Sequence, residues 1–436
     1  MNTNGEERRK MRHSKFPVVI ATLGGRGTRL YPLTLFQSKP LIPIVNYPIF
    51  MRMIEVLVRQ GARNIIFSTK GIENSLRIKD VFRYGADFTA RFNLKTQLNF
   101  MYQPNYRDMG SADSVRYVME YYKVSDEVLV VSGDNIADLD LKSLTAYHRD
   151  KEAVATVLLK ELPPDSDLSQ FGVAELGEDG RILRFLEKPM RTGTTSRLIN
   201  TAVYLFSPKI LDILREMGDG ARDIGSDLLP YLIEHGYPVY GLKTDGYWAD
   251  VGTPDNFLKT ALHIVNQKVG NIRFRPEHEI KNRVWVHPTT QKRFKEGGPR
   301  ISRSTIIGGD CEIHNTVIIE NSSISDNCII GANVTIRNSV VMDFVNLKEG
   351  VKLNSCIIGR YATIGEESII DAENMVEVSG RKDRTPVVGD NVNIVGHSLL
   401  GAYKRVAPIE HSHTILKSMH FKELGYDDAN FYFIEK

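Results

Sequence analysis

The chain has 436 residues, of which 42% are hydrophobic and 25% are charged. These proportions are typical of folded globular proteins and exclude a fibrous, disordered or membrane-embedded chain, and the length predicts two or three domains. The 56 Lys and Arg residues are nearly balanced by 53 Asp and Glu residues, which argues against a dedicated nucleic-acid surface.

The amino-terminal segment 1–16 is polar and basic, and we expect a disordered tail there rather than a secretory signal, because no apolar stretch follows it. No later apolar run approaches the roughly 18 residues needed to cross a bilayer. We therefore expect a cytoplasmic protein that does not contact membranes. Its three cysteines, Cys311, Cys328 and Cys356, lack a CxxC pairing and are expected to be buried structural thiols.

From 17 to 268, short β-branched runs alternate with amphipathic stretches of helical length, which predicts an α/β domain with a Rossmann-like, mostly parallel sheet. The clearest elements, in chain order, are a strand Val18 to Thr22, a helix Pro48 to Arg59 ending at Gly61, and strands Asn64 to Ser68 and Glu127 to Ser132. The last strand runs into Gly133-Asp134-Asn135. Asp134 is thereby placed at the carboxyl end of a strand, where ligands bind in open α/β sheets.

Beyond 300 the sequence changes to a repeat. Apolar residues recur in steps of six with a step of five at each turn, and equivalent positions repeat every 17 residues, as in the column Ile307, Ile324, Val341 and Ile358. Hexapeptide spacing with three steps per period predicts a triangular parallel β-helix. We assign it to 301–400, with a linker at 269–300 and a C-terminal tail at 401–436.

A glycine-rich turn follows the first predicted strand. Residues 24–30 read Gly-Gly-Arg-Gly-Thr-Arg-Leu, and such a turn lets backbone N–H groups approach a polyphosphate. An isolated turn of this kind can have a purely steric cause, but two fixed cations, Arg29 and Lys39, belong to this one. The Gly-Lys-Ser/Thr ending of a Walker A loop is absent, and a dinucleotide fingerprint lacks the distal lysine, so an NTP hydrolase or a dehydrogenase is disfavoured.

The block from Gly24 to Ile44 closely resembles the signature of the nucleoside-diphosphate-sugar pyrophosphorylases, a family with a C-terminal left-handed β-helix. Its motifs look closest to those of glucose-1-phosphate adenylyltransferases, and the resemblance extends through the β-helix. It implies a nucleotidyltransferase domain at 17–268 that uses Mg²⁺ to transfer a nucleotidyl group from an NTP to a sugar 1-phosphate. The implied acceptor is glucose 1-phosphate, and pyrophosphate is released.

The resemblance also implies roles for individual residues. The catalytic residues would be Arg29, Lys39, Asp134 and Asp250, with the two aspartates also binding the metal. The nucleotide-binding residues would be Leu23, Gly24, Gly25, Gly27, Thr28, Gln103, Gly110 and Ser111. The sugar-phosphate-binding residues would be Gly172, Glu187, Lys188 and Asn200. Read without the resemblance, the two aspartates are solvated loop carboxylates, and Glu187-Lys188 is an exposed charge pair.

Two features leave specificity open. The segment Asn200-Thr201-Ala202 carries a methyl group where glycine is common in the family, which bears on the sugar. Gly133-Asp134-Asn135 resembles the corresponding motif of thymidylyltransferases equally well, so thymidylyl, uridylyl or guanylyl transfer remains an alternative to adenylyl transfer.

Other classes of protein share this layout. Translation-initiation exchange-factor subunits resemble it as non-catalytic regulatory or assembly proteins, and loss of the four charged catalytic residues would favour that alternative. An acyltransferase on the β-helix would need a base, but lone histidines such as His314 and His397, and also His411 and His413, are more often surface or packing residues. We expect no second activity, and we expect homo-oligomers formed through the β-helix.

Overall fold

A computed structural model describes residues 16–24, 27–85, 88–89, 98–105, 110–189, 194–218, 222–270, 272, 274–295, 297–373, 383–400, 404–407, 418–420 and 430–432. Gly25, His411, His413 and nearly all of the expected N-terminal tail lie outside these residues. The described residues form two compact units, one within 1–25 and 53–248 and the other within 26–52 and 249–436.

Helices and strands alternate along the first part of the chain, and short strands dominate the second part. The α-helices are α1 (Ile49–Arg59), α2 (Ile72–Phe82), α3 (Ser111–Tyr122), α4 (Leu141–Asp150), α5 (Ile210–Met217), α6 (Leu229–Glu234), α7 (Pro254–Val265) and α8 (Pro288–Gln291). The first strands are β1 (Val18–Leu23), β2 (Pro43–Ile44), β3 (Tyr47–Pro48), β4 (Asn64–Lys70), β5 (Asn99–Asn105), β6 (Val128–Ser132), β7 (Asn135–Ala137), β8 (Ala155–Glu161), β9 (Gly172–Leu176), β10 (Ile182–Glu187), β11 (Leu198–Phe206), β12 (Val239–Thr244) and β13 (Trp248–Asp250). The later strands are β14 (Glu279–Lys281), β15 (Val284–Val286), β16 (Arg300–Ser302), β17 (Thr305–Ile307), β18 (Glu312–Ile313), β19 (Ile318–Glu320), β20 (Ser323–Ile324), β21 (Ile329–Ile330), β22 (Thr335–Arg337), β23 (Val340–Val341), β24 (Asn346–Leu347), β25 (Lys352–Asn354), β26 (Ile357–Ile358), β27 (Thr363–Ile364), β28 (Ile369–Asp371), β29 (Val387–Val388), β30 (Asn393–Ile394), β31 (Leu399–Leu400), β32 (Arg405–Val406), β33 (Ser418–His420) and β34 (Asn430–Tyr432).

The first unit is built on a nine-stranded sheet with the path β10-β9-β11-β6-β1-β4-β5, in which β8 pairs with β11 and β12. Strands β6, β1, β4 and β5 are parallel neighbours, whereas β11 runs antiparallel to β6. The expected α/β fold is confirmed, and so are the early elements named from the sequence. Because β1 and β6 are almost fully buried, their near-continuous apolar runs are those of strands covered on both faces.

The second unit contains the β-helix. Three parallel sheets carry equivalent residues of successive coils, as in the pairs Ile307–Ile324, Ile330–Leu347 and Ile336–Leu353. The inward column side chains are buried in one apolar cluster, which confirms the repeat. Strand β15, within the segment assigned to the linker, pairs with β17 at the start of this stack.

The three cysteines are buried inside the coils. Cys311 and Cys328 donate to the carbonyls of Ser325 and Met342, each at 3.1 Å, and burial raises the pKa of the Cys356 thiol to about 12. Cys356 is therefore an unreactive packing group. Among the helices of the described ranges, none is long and apolar enough to cross a membrane.

Candidate active site

The glycine-rich turn begins where β1 ends, in the first unit. Leu23 is buried, and its carbonyl accepts a hydrogen bond from Asn74 Nδ2 at 3.0 Å. Gly24 is exposed, and a Cβ built there would meet nothing within 4 Å. No described neighbour requires glycine at this position, whereas a ligand brought close to the backbone would require it.

Gly27 and Thr28 belong to the second unit. Gly27 has a left-handed backbone with φ of 62°, and a Cβ there would lie 2.8 Å from Thr34 Cγ2. Both conditions require glycine. Thr28 starts a 3-10 turn that ends at the buried Leu30, so the apolar end of the turn anchors it while Thr28 and Arg29 face solvent.

Arg29 and Lys39 both pair with Asp250 in the second unit. Lys39 Nζ lies 3.2 Å from Asp250 Oδ1, and Arg29 Nη2 lies 3.6 Å from Oδ2 of the same carboxylate. The Lys39 side chain is 9% exposed and the Arg29 side chain is 52% exposed. One cation is therefore held inside the protein, and the other is accessible to an incoming anion.

Gly252 makes room for this cluster. A Cβ at Gly252 would lie 2.8 Å from Asp250 Oδ1 and 2.9 Å from Arg29 Nη2. Thr253 then caps α7, because its hydroxyl oxygen accepts a hydrogen bond from the Asn256 backbone N–H at 3.3 Å. The start of a helix thus fixes the segment that carries Asp250.

A side chain from the β-helix supports the same turn. Arg405 Nη1 donates to the carbonyl oxygens of Arg29 at 2.9 Å and Tyr31 at 3.2 Å, and Arg405 Nη2 lies 3.6 Å from Asp383 Oδ2. Burial lowers the pKa of Arg405 and raises the pKa of Asp383. The partly desolvated guanidinium is thus committed to holding the Arg29 backbone, since carbonyl oxygens and one carboxylate replace water around it.

Asp134 lies in the first unit, directly after β6. The preceding Gly133 donates its N–H to the Thr22 carbonyl at 3.1 Å, and the Ser132 hydroxyl donates to Asp134 Oδ1 at 2.5 Å. These contacts hold the aspartate at the carboxyl end of the parallel strands, as expected from the sequence. Asn135 is buried, and its Nδ2 donates to the Thr201 carbonyl at 2.8 Å, which ties this turn to β11.

Gly172 and Glu187 are brought together by the antiparallel register of β9 and β10. A Cβ at Gly172 would lie 2.5 Å from Phe185 Cζ and 2.8 Å from Glu187 Oε2, so glycine is needed here for space. Lys188 Nζ lies 3.4 Å from Glu187 Oε1. Partial burial raises the pKa of Glu187, an effect opposed by Lys188 and reinforced by the negative charge of Asp223.

Asn200 lies at an irregularity in β11, whose register against β8 shifts between Asn200 and Tyr204. Its Nδ2 donates to the Tyr204 hydroxyl at 2.7 Å, and its Oδ1 accepts from the Ala202 N–H at 2.9 Å. Ala202 itself is left-handed, with φ of 57°. Ala202, where the resemblance predicts glycine, therefore keeps the backbone conformation that glycine favours, at a cost in strain.

Gln103 lies in β5 of the first unit, and Gly110 and Ser111 lie at the start of α3. Gln103 is buried in β5, opposite Ser68 of β4. A Cβ at Gly110 would lie 2.1 Å from the Arg222 carbonyl oxygen, and φ there is 134°. The Ser111 hydroxyl donates to Asp223 Oδ2 and accepts from the Ile224 N–H, both at 2.9 Å. Gly110 and Ser111 thus have structural contacts of their own, which position the segment from 222 onward.

The sequences of both units are similar to those of known proteins. A family model described as nucleotidyl transferase matches residues 17–267, more than half of the chain. The chain belongs to the nucleotidyl transferase family. A second model, described as the GMPPB C-terminal domain, matches residues 300–411 of this nucleotidyl transferase.

The transferase is similar to several curated sequences. It is 29% identical to a UTP–glucose-1-phosphate uridylyltransferase of a Synechocystis species, over 80% of this chain and 89% of the relative. It is 27% identical to a glucose-1-phosphate adenylyltransferase of Dechloromonas aromatica, over 88% of this chain and 91% of the relative. A crystal structure assigned as a glucose-1-phosphate thymidylyltransferase from Bacillus anthracis, in complex with a sucrose, matches 60% of this chain and 98% of its own, with 25% identity and a TM-score of 0.50.

Sequence reasoning missed one segment of the transferase, from Asp223 to Asp227. The Asp223 carboxylate accepts from the N–H groups of Gly225 at 2.9 Å and Ser226 at 3.4 Å, which caps a π-helical turn. A Cβ at Gly225 would lie 2.8 Å from Glu187 Oε2. The aspartate followed two residues later by glycine was a turn signal in the sequence, but nothing local indicated that the turn faces Glu187.

Family members use a divalent metal ion. Within the described part of the transferase, no group of three or more His, Cys, Asp or Glu side chains is placed to hold one. A hard cation that takes two carboxylates and completes its shell with phosphate oxygens and water does not need such a group. The carboxylates of Asp134 and Asp250 have the oxygen donors that this type of ion prefers.

Proposed function

We propose that this nucleotidyl transferase joins an NTP to glucose 1-phosphate, yielding an NDP-glucose and pyrophosphate. A sugar-phosphate oxygen attacks the α-phosphorus, and the bond from that phosphorus to the bridging oxygen of the β-phosphate breaks as pyrophosphate leaves. The observation that carries the proposal is the pairing of Lys39 and Arg29 on Asp250. Two cations beside a glycine-rich turn suit a triphosphate better than any other common ligand.

Lys39 and Arg29 stabilise charge in this scheme. A phosphoryl group competes with Asp250 for both side chains, and the exposed Arg29 can turn toward the β- and γ-phosphates while Lys39 stays nearly fixed. Such groups act on the charge that spreads over the phosphorus oxygens during transfer. The nucleophile needs no general base, since a phosphomonoester has a second pKa of about 6 and is already anionic near neutral pH.

Asp134 and Asp250 would hold the metal ion, which we propose to be Mg²⁺. When bound, Mg²⁺ neutralises phosphate charge and orients the phosphate oxygens. Asp250 lies between two cations in this structure, so metal and phosphate together would replace its contacts with Lys39 and Arg29. Asp134 is oriented by the Ser132 hydroxyl.

The sugar phosphate would bind at Glu187, Lys188 and Asn200. A carboxylate and an amide can accept and donate hydrogen bonds to sugar hydroxyls, and the lysine offers a charge to the 1-phosphate. Gly172 leaves the space beside Glu187 open. The uridylyltransferase, adenylyltransferase and thymidylyltransferase relatives all carry glucose 1-phosphate in their names, which supports this acceptor.

The base would be read by Gln103 together with the turn at Gly110 and Ser111. The motifs favour ATP, and the relatives named for uridylyl and thymidylyl transfer make UTP and dTTP the competing donors. A glutamine amide offers both a donor and an acceptor to a base edge, so Gln103 is compatible with each of them.

We also propose that the protein forms homo-oligomers through its β-helix. An aromatic pair on the coils supports this, because Phe344 and Tyr361 stack at 4.8 Å and are 47% and 53% exposed. Aromatic residues are enriched at protein interfaces relative to the rest of the surface. Light scattering at micromolar concentration tests the proposal, and a monomeric mass would remove it.

The decisive experiment is a pyrophosphate-release screen with Mg²⁺, in which ATP, UTP, dTTP, GTP and CTP are each combined with several sugar 1-phosphates. We expect release with glucose 1-phosphate and one preferred nucleotide. Release with another sugar would change the acceptor but keep the reaction. If no combination releases pyrophosphate, the alternative of a non-catalytic regulatory subunit replaces the proposal.

A further inference from the structure

We propose that the first coil of the β-helix carries a second anion site, separate from the catalytic residues, that binds the phosphate group of a small molecule. The site is an open cavity of about 470 Å³. Its volume is in the range of small-molecule pockets. The lining residues are Asn266, Asn282, Arg283, Arg303, Ser304 and Asn321, which include two cations and no carboxylate.

The first coil has one extra residue at one of its corners. Ser302 pairs with Glu320, a separation of 18 residues, whereas Ile306 pairs with Ser323, a separation of 17 residues. One additional residue is therefore accommodated between 302 and 306. It lies in the turn that carries Arg303 and the buried Ser304.

Both arginines have an unfavourable backbone conformation. Arg283 and Arg303 are left-handed, with φ of 58° and 54°. At the same corner of the next two coils the left-handed residues are Asn321 and Asn338, with φ of 44° and 47°, and asparagine tolerates this conformation far better than arginine does. Arginine at both positions is thus not explained by the fold.

The two guanidinium groups are also without partners among the residues that the structure describes, where neither forms a hydrogen bond or an ion pair. The carboxylates that adjoin this corner are used elsewhere. Glu279 accepts from the backbone N–H of Arg283 at 2.8 Å, and Glu320 accepts from Ser302 Oγ at 3.2 Å and pairs with Arg337 at 3.1 Å. Two unpaired like charges on one cavity are repulsive unless an anion joins them.

The remaining groups favour an oxyanion. The Asn282 amide and the Ser304 hydroxyl form no hydrogen bond with another described residue, so both can donate to a ligand. Asn266 Nδ2 donates to the Leu262 carbonyl and to Asn321 Oδ1, each at 2.7 Å, which reduces the negative potential at the end of α7. Two guanidinium forks with an amide and a hydroxyl match the oxygens of a phosphate.

The test is calorimetric titration of the full chain with inorganic phosphate, glucose 1-phosphate and sulfate at constant ionic strength, without metal or nucleotide. The key variant carries Arg283→Asn and Arg303→Asn together, because asparagine suits the left-handed corner and removes both charges without disturbing the fold. Arg300→Asn is the matched control, since Arg300 is an exposed residue of the same coil that does not line the cavity. Arg29→Ala separates this site from the catalytic one.

We expect the double variant to weaken phosphate binding at one site by about tenfold or more, with an unchanged or higher Tm in the absence of phosphate. Arg300→Asn should change the affinity less than about twofold, and Arg29→Ala should leave this site intact. The tighter of phosphate and glucose 1-phosphate identifies the natural ligand class. Undiminished binding in the double variant, an equal loss in Arg300→Asn, or complete loss in Arg29→Ala would overturn the proposal while leaving the proposed reaction untouched.

Discussion

Lys39 Nζ lies 3.2 Å from Asp250 Oδ1, although 211 residues separate the two in sequence. A nearly buried ammonium group needs a counter-charge, and Asp250 supplies it until a phosphate arrives. The same carboxylate also faces Arg29 at 3.6 Å. A substrate that binds here therefore exchanges one set of ionic contacts for another, with little net desolvation of the lysine.

The aspartates are tested by Asp250→Asn and Asp134→Asn. Each variant should lower kcat by about 100-fold or more, because an amide binds a divalent cation poorly. Pyrophosphate release gives the rate, and circular dichroism checks the fold. Asp212→Asn is the control, since that side chain is 81% exposed and its removal should leave the rate unchanged. Wild-type turnover in both site variants would contradict the assignment.

Arg405→Ala tests whether the β-helix positions the phosphate-binding turn. It removes two hydrogen bonds to the Arg29 and Tyr31 carbonyls, and we expect KM for the nucleotide to rise about tenfold. Arg405→Lys should restore part of the loss. The control is Arg360→Ala, which breaks a pair with the buried Asp390 at 2.7 Å. That variant should lose about 3 kcal/mol of stability with KM unchanged, and a KM effect of equal size would show that the role of Arg405 is purely structural.

Substitution by alanine should affect kinetics at Gly24 and stability at Gly110. Gly24→Ala meets no neighbour within 4 Å, so its Tm should match the wild type while KM for the nucleotide rises if phosphate approaches this backbone. Gly110→Ala would place a methyl 2.1 Å from the Arg222 carbonyl oxygen and should cost about 3 kcal/mol or more. Thermal unfolding and steady-state kinetics on both variants separate the two effects. Unchanged kinetics in Gly24→Ala would argue against phosphate contact there.

Ala202→Gly should stabilise the protein. Relief of the left-handed alanine conformation is worth about 1 kcal/mol, measured as a higher urea midpoint at a constant m-value. Ala174→Gly is the matched control, because Ala174 is fully buried in β9 and glycine there should destabilise by about 0.5 to 1 kcal/mol or more. Equal losses in both variants would mean that the methyl group of Ala202 makes packing contacts that outweigh the strain.

His148 should make the protein sensitive to acid. Burial lowers its pKa from 6.5 to about 4, and its Nδ1 lies 2.8 Å from Thr156 Oγ1. Because the pKa of His148 is lower in the folded protein than in the unfolded chain, its contribution to the free energy of unfolding is complete above pH 6.5. That contribution is lost as pH falls from 6.5 toward 4. The difference of about 2.5 between the two pKa values corresponds to a loss of about 3 kcal/mol in the free energy of unfolding, at 1.36 kcal/mol for each unit.

Urea unfolding at about pH 7 and about pH 4.5 measures this effect. The wild-type protein should lose more stability over this interval than His148→Asn, which has no titrating group at that position. Identical pH dependence in the two proteins would show that His148 stays protonated or exposed in solution.

Much of this protein was readable from sequence because the signals are periodic or local. Apolar residues that recur every six positions place one buried side chain on each face of a coil, so the spacing alone predicted the β-helix. The strand ending before Asp134 and the glycine-rich turn before Arg29 and Lys39 are also continuous segments, whose conformations depend on neighbours a few residues away. The family resemblance then named the groups, without supplying their contacts.

Tertiary structure decided what depends on register and packing between distant segments. Gly172 meets Glu187 because two antiparallel strands pair in one register, and Arg405 reaches the Arg29 carbonyl across 376 residues. Neither contact has a local pattern that could reveal it. The left-handed Ala202 is equally hidden, because its conformation is imposed by the pairing of β11 with its neighbours. The sequence by itself determined which elements form and which charges they carry; packing alone determined which of those charges meet.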